Sequence, residues 1–188
     1  MLKRWCLTGA AMVALSACGG GDGNGMNGSV GATNAFEAAA PAQTIADGLK
    51  ASDETRFREA VEAAGMTPTL AGPGEYTVLI PSNTAFDGMP AGALDGLMKP
   101  SAREQLTGLI SYHVLPGTIL RADLGRAIDN GKGKAVLATM NGATLTATRD
   151  GDAIVLADSA GSKARIGPAD ARFKNGVVHR IDAVLMPS

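Results

Sequence analysis

The sequence predicts an α+β fold, with helices in the first part of a folded region at residues 42–188 and strands in its last third. Three features carry this. Apolar residues between 57 and 110 recur at helical spacing. After residue 134, Asn-Gly and Asp-Gly pairs separate short apolar runs, the pattern of tight hairpins. Helices and strands come in blocks rather than in βαβ alternation, which argues for α+β over a parallel α/β sheet.

Taken in order, residues 44–50 read as a short helix. A second helix is predicted over 54–64, where Phe57, Ala60, Val61 and Ala64 make one apolar stripe and Gly65 is placed to end it. Tyr76-Thr77-Val78-Leu79-Ile80 reads as a buried strand stopped by Pro81. Residues 91–98 suggest a short helix. Another starts at Pro100, with Ser101 and Glu104 spaced as a capping box and Leu106, Leu109 and Ile110 as its apolar face. Residues 112–115 read as a strand ending at Pro116-Gly117. Strands follow at 135–139, 143–149 and 153–157, joined by Asn141-Gly142 and Asp150-Gly151, and a closing strand spans 177–186.

The N-terminus has another character. Lys3 and Arg4 precede an uncharged stretch at 5–17, too short for a membrane span, which needs about 20 apolar residues. This is the layout of a secretory signal, so residues 1–17 are excluded from the fold. The stretch ends in Leu15-Ser16-Ala17-Cys18-Gly19, which resembles the bacterial lipobox. That resemblance implies cleavage before Cys18 and acylation of its thiol, palmitate included, with a membrane partner reached through the lipid. Each buried CH₂ contributes about 0.8 kcal/mol, so several acyl chains anchor far better than one. Gly19, where an aspartate would resemble an inner-membrane retention signal, points to the outer membrane of a two-membrane bacterium, on its periplasmic or surface face. Residues 18–41, rich in Gly, Ala and Asn, read as a linker spanning roughly 25 Å as a coil.

Composition narrows the function. Cys6 leaves with the signal and Cys18 carries lipid, so the mature domain has neither a disulfide nor a cysteine metal site. Losing Lys3 and Arg4 takes the formal charge from −1 to −3, which argues against nucleic acid as a partner. Aromatics are 4% of the chain, too few for a stacking platform. The two histidines, His113 and His179, sit among apolar residues, and neither a Gly-x-Ser-x-Gly elbow nor a His-Glu-x-x-His helix is present. Gly131-Lys132-Gly133-Lys134 lacks P-loop spacing and reads as a loop, and Asp150, Asp152 and Asp158 do not match a calcium loop. No enzymatic site and no cofactor is expected. In the closing strand, Val177, His179, Ile181, Ala183 and Leu185 share a face by alternation, so His179 reads as buried and hydrogen-bonded, with Arg180 and Asp182 a solvated pair opposite.

Three blocks resemble one family. Residues 76–86 (YTVLIPSNTAF), 112–117 (YHVLPG) and 175–187 (NGVVHRIDAVLMP) are similar, in order and spacing, to the boxes of the fasciclin domain over residues 42–187. The resemblance implies a wedge of β-strands packed on a cluster of short helices, and a role in extracellular adhesion or surface interactions with a protein or polysaccharide partner. It also implies interaction residues: Tyr112 and His113, and Asp170, which precedes the closing box in a segment expected to be polar and exposed. Ala171 stands where the family has isoleucine, which removes an apolar contact. Read from the residues themselves, Tyr112 and His113 are core side chains with satisfied polar tips, Ser82 and Asn83 shape a turn, and Phe86 anchors it. The alternative function is an envelope small-ligand carrier or an enzyme whose site follows no motif.

Overall fold

The computed structural model describes residues 42–187. The expected signal, Cys18 and the linker lie outside the described residues. Six short helices come first, interrupted by one strand and followed by another: α1 (Ile45–Ala51), α2 (Thr55–Ala64), α3 (Thr67–Ala71), β1 (Tyr76–Pro81), α4 (Asn83–Asp87), α5 (Ala93–Leu97), α6 (Arg103–Tyr112) and β2 (Val114–Pro116). Then come α7 (Arg121–Asn130), β3 (Lys134–Ala138), β4 (Thr144–Asp150), β5 (Ala153–Ala157), β6 (Lys163–Phe173) and β7 (Gly176–Ile181).

Local chemistry sets the helix ends. Thr44 accepts from Asp47 N while Asp47 accepts from Thr44 N, a reciprocal box that starts α1. Gly65, at φ +76°, ends α2 in the left-handed conformation that glycine adopts without Cβ strain. Ser82 accepts from Ala85 N, so the turn expected there is in fact the capped start of α4. The capping box expected at Ser101 is not made. Pro100–Ala102 form a 3₁₀ turn, and α6 begins from Ala102 without a side-chain cap.

The strands form one sheet in the order β2-β1-β7-β6-β5-β4-β3. Only β1 and β7 pair in parallel, and the rest are antiparallel. Both faces of its centre are covered. On one side Val78, Ile80, Val178, Ala171 and Phe173 pack with Phe57, Val61, Leu70, Leu106 and Ile110 from the helices. On the other, Leu79, Ile181, Ile166, Leu145 and Leu156 enclose Leu124 and Ile128 of α7. Alternate residues of β1 thus feed different cores, which is why Val78, Leu79 and Ile80 are apolar in succession. The two outer strands approach where Met140 N donates to Val114 O at 2.8 Å.

The closing strand is shorter than predicted. It stops at Ile181, although Val184 and Leu185 remain buried beyond it. Arg180 Nε lies 3.7 Å from Glu54 Oε1, with its side chain only 27% exposed, and Asp182 accepts from Arg165 N.

Candidate functional site

Three side chains from adjacent strands converge on residues 117–121, the link between β2 and α7. Thr77, in register with Val177, donates to Gly117 O at 2.7 Å and accepts from Ile119 N at 2.8 Å. His179 is fully buried, as expected, and its Nε2 donates to Ile119 O at 2.7 Å. Asp170 stands directly across the β6–β7 ladder from His179. Its Oδ2 accepts from Arg121 N at 3.0 Å, at the start of α7, and its Oδ1 lies 3.1 Å from His179 Nδ1. Both of these atoms are buried, and neither has a hydrogen-bond partner. The Arg121 guanidinium reaches back to the carbonyls of Ile166, Gly167 and Asp152. Burial lowers the pKa of His179, opposed by its bond to Ile119 and by the Asp170 charge.

Asp170 is therefore not in an exposed connecting segment. It belongs to the 11-residue strand β6, and its side chain is only 18% exposed. The strand escapes a simple reading because its ladder is irregular between Ile166 and Asp170, around Gly167 and Pro168. Before the irregularity Ala164 and Ile166 face the α7 core; after it Ala171 and Phe173 face the helical core. The apolar phase switches within one strand, and that switch is the sequence signal that locates it.

Tyr112 and His113 are not the start of a strand but the last residue and the cap of α6. Both are buried, as their own surroundings predict. Tyr112 Oη donates to Thr144 O at 3.4 Å, and burial, followed by the Asp158 charge, raises its pKa. The His113 ring makes two bonds of opposite sense. Nδ1 faces Leu109 O at 2.9 Å and must donate, because a carbonyl only accepts. Nε2 accepts from Leu185 N at 3.2 Å. The ring is thereby held neutral with its proton on Nδ1, and burial pushes its pKa down to about 4.

Beside the converging loop runs a groove of about 410 Å³, lined by Arg121, Gly125, Arg126, Asp129, Arg149 and Asp170. Its charges are largely matched in pairs. Arg149 contacts both Asp129 oxygens at 3.0 and 3.2 Å, and Arg126 pairs with Asp123. Among the described residues no group of three His, Cys, Asp or Glu is placed to hold a metal ion, and no helix is long and apolar enough to cross a membrane.

This arrangement, a seven-stranded wedge with a helical cluster on one face, has relatives. A model of the fasciclin domain matches residues 52–187. The chain belongs to the fasciclin-domain family. The fasciclin fold is shared with a FAS1 domain pair from the insect cell adhesion molecule Fasciclin I, at a TM-score of 0.59 and 16% identity, covering 77% of this chain and 51% of that one. In sequence the chain is 35% identical over 129 residues to Protein sll1483 of Synechocystis, covering 68% of this chain and 64% of that protein. It is 31% identical to human periostin over 77% of its own length and 16% of periostin's. It is 31% identical to the immunogenic protein MPB70 of Mycobacterium bovis, covering 61% of this chain and 51% of that one. The chain thus spans less than two thirds of each of these relatives, and what it shares with them is the fasciclin domain.

Proposed function

We propose that this chain is a lipid-anchored interaction module of the cell envelope, holding a fasciclin domain away from the membrane for a protein or polysaccharide partner. The observation that carries the reading is membership of a family whose fold also builds a cell adhesion molecule. The disposition of polar groups supports it. Tyr112, His113 and Thr77 spend their polar atoms on backbone groups, as does Nε2 of His179. The groove beside Asp170 is open and lined largely by charged side chains, unlike the enclosed apolar pocket with converging polar groups that a small-ligand site calls for.

With Tyr112 and His113 buried, Asp170 and its groove neighbours Arg126 and Arg149 are the exposed part of the interaction surface in this reading. The test is capture of purified envelope polysaccharide and protein fractions by the tagged, lipid-free domain. Arg126→Glu and Arg149→Glu, each in a domain that melts as wild type, should weaken capture. Equal capture by both variants removes the groove as the contact surface. Turnover of an envelope substrate by the purified domain would favour an enzyme instead.

A further inference from the structure

We propose that Asp170 and His179 form a one-proton latch, whose protonation as the pH falls tightens residues 117–121 and the start of α7 onto the sheet. The argument is one of donors and acceptors. His179 Nε2 faces the carbonyl of Ile119 at 2.7 Å, so the ring proton of neutral His179 must sit there. That leaves Nδ1 as a lone pair, 3.1 Å from Asp170 Oδ1. Both atoms are shut off from solvent and neither has a directed hydrogen bond. Two acceptors in a dry contact repel, and one proton between them turns the repulsion into a charge-assisted hydrogen bond.

The link to the loop is direct. Asp170 Oδ2 accepts from Arg121 N at the first turn of α7, so the carboxylate bridges His179 to that helix. The Asp170 side chain is partly exposed toward the groove, so without the proton it has somewhere to turn, and turning breaks its bond to Arg121 N. Other charges near the pair are few. α7 offers Arg121, whose charge opposes protonation of His179, then Asp123 and Arg126, which neutralise each other. Arg172 lies further along β6. Arg180 follows His179 on β7 but lies near Glu54 on the helical side, and β1 contributes only Thr77 and Leu79 opposite the pair. His113, the other buried histidine, has no carboxylate partner among its bonds and is locked neutral by Leu185 N. The two rings therefore respond differently to acid. Burial of His179 still makes acid costly to folding as a whole; the latch concerns how firmly the loop is held within the folded state.

The variant that isolates the latch is Asp170→Asn. An amide at this position donates to Nδ1 and accepts from Arg121 N, satisfying both without a proton. In wild type the Arg121 amide, corrected for intrinsic exchange, should lose about tenfold in protection between pH 5 and pH 8. In Asp170→Asn it should be flat, and His179 should titrate about one pH unit lower by ring nitrogen NMR. Flat protection in wild type, or an unchanged slope in Asp170→Asn, overturns the latch. So does a ring whose proton sits on Nδ1 alone at neutral pH. Should Asp170→Asn fold poorly, the wild-type exchange profile and the His179 tautomer decide the matter by themselves.

Discussion

At the scale of single residues, His113 and His179 show what a hydrogen-bond partner adds to burial. Both are apolar-face histidines by sequence, and both are buried. The structure alone assigns their protons. The sign of the pH dependence follows for His113. Its folded pKa, about 4, lies below the ordinary 6.5, so between these values the unfolded chain binds a proton that the folded ring refuses. Stability from this group is complete above pH 6.5 and falls as the pH drops toward 4, by up to about 3 kcal/mol. Urea melts from pH 7.5 to 4.5 should show that decline, with a shallower slope in His113→Gln; equal slopes would mean that another group is responsible. His179→Ala removes a buried ring and leaves Ile119 O without its donor, at a cost of roughly 1–3 kcal/mol. Thermal melts would check it. Asp170 was not legible in the same way. A lone acid among Pro168, Ala169 and Ala171 looks like loop, and only pairing across to His179 makes it part of a ladder.

At the scale of elements, the long amphipathic helices and the Asn-Gly and Asp-Gly hairpins are where the spacing puts them, because their periodicity is local and strong. α3, α4, α7 and β6 are not announced. α7 offers only Leu124 and Ile128 as large buried anchors, with Gly125 between them, and α3 and α4 are five residues each. Such segments form because tertiary contacts hold them. Asn175 is one of those contacts. It accepts from Ile45 N at 2.8 Å and donates to Leu70 O at 2.7 Å and Gly72 O at 3.0 Å, tying the β6–β7 turn to α1 and α3. Asn175→Ala should cost about 3 kcal/mol, since buried backbone groups in two helical segments lose their partner. A melting shift under 3 °C would contradict that, given about 2–4 °C per kcal/mol for a domain of this size. The next residue is stricter. Gly176 has φ +143°, and a Cβ there would sit 1.8 Å from Tyr76 O on the neighbouring strand. Gly176→Ala should destabilise by more than about 4 kcal/mol or abolish soluble expression. A near-normal melt would show that β1 and β7 are able to part.

At the scale of the whole molecule, one sheet with a core on each face explains how residues 42–187, which contain no cysteine, fold. Residues 42–188 expressed alone should melt cooperatively, with the same midpoint in chelator and in reductant. Loss of the transition under either treatment would reveal a structural ligand. Replacing Cys18 with Ser in the full chain should move the protein out of the membrane fraction and block the lipid mass shift. Retention with unchanged mass would refute the anchor.

The sequence by itself determined the α+β class, the family, the main helices and hairpins, and the inward-facing histidines. Those depend on local periodicity, turn chemistry and motif order, all written along the chain. Only the tertiary structure decided that Tyr112 ends a helix, that Ser82 begins one, that β6 exists as a strand, and that Asp170 meets His179 at the foot of α7. These depend on pairings between residues far apart, and on a strand whose apolar residues pass from one face of the sheet to the other along its length. A period-two pattern read along one strand carries no record of which core lies over each of its faces.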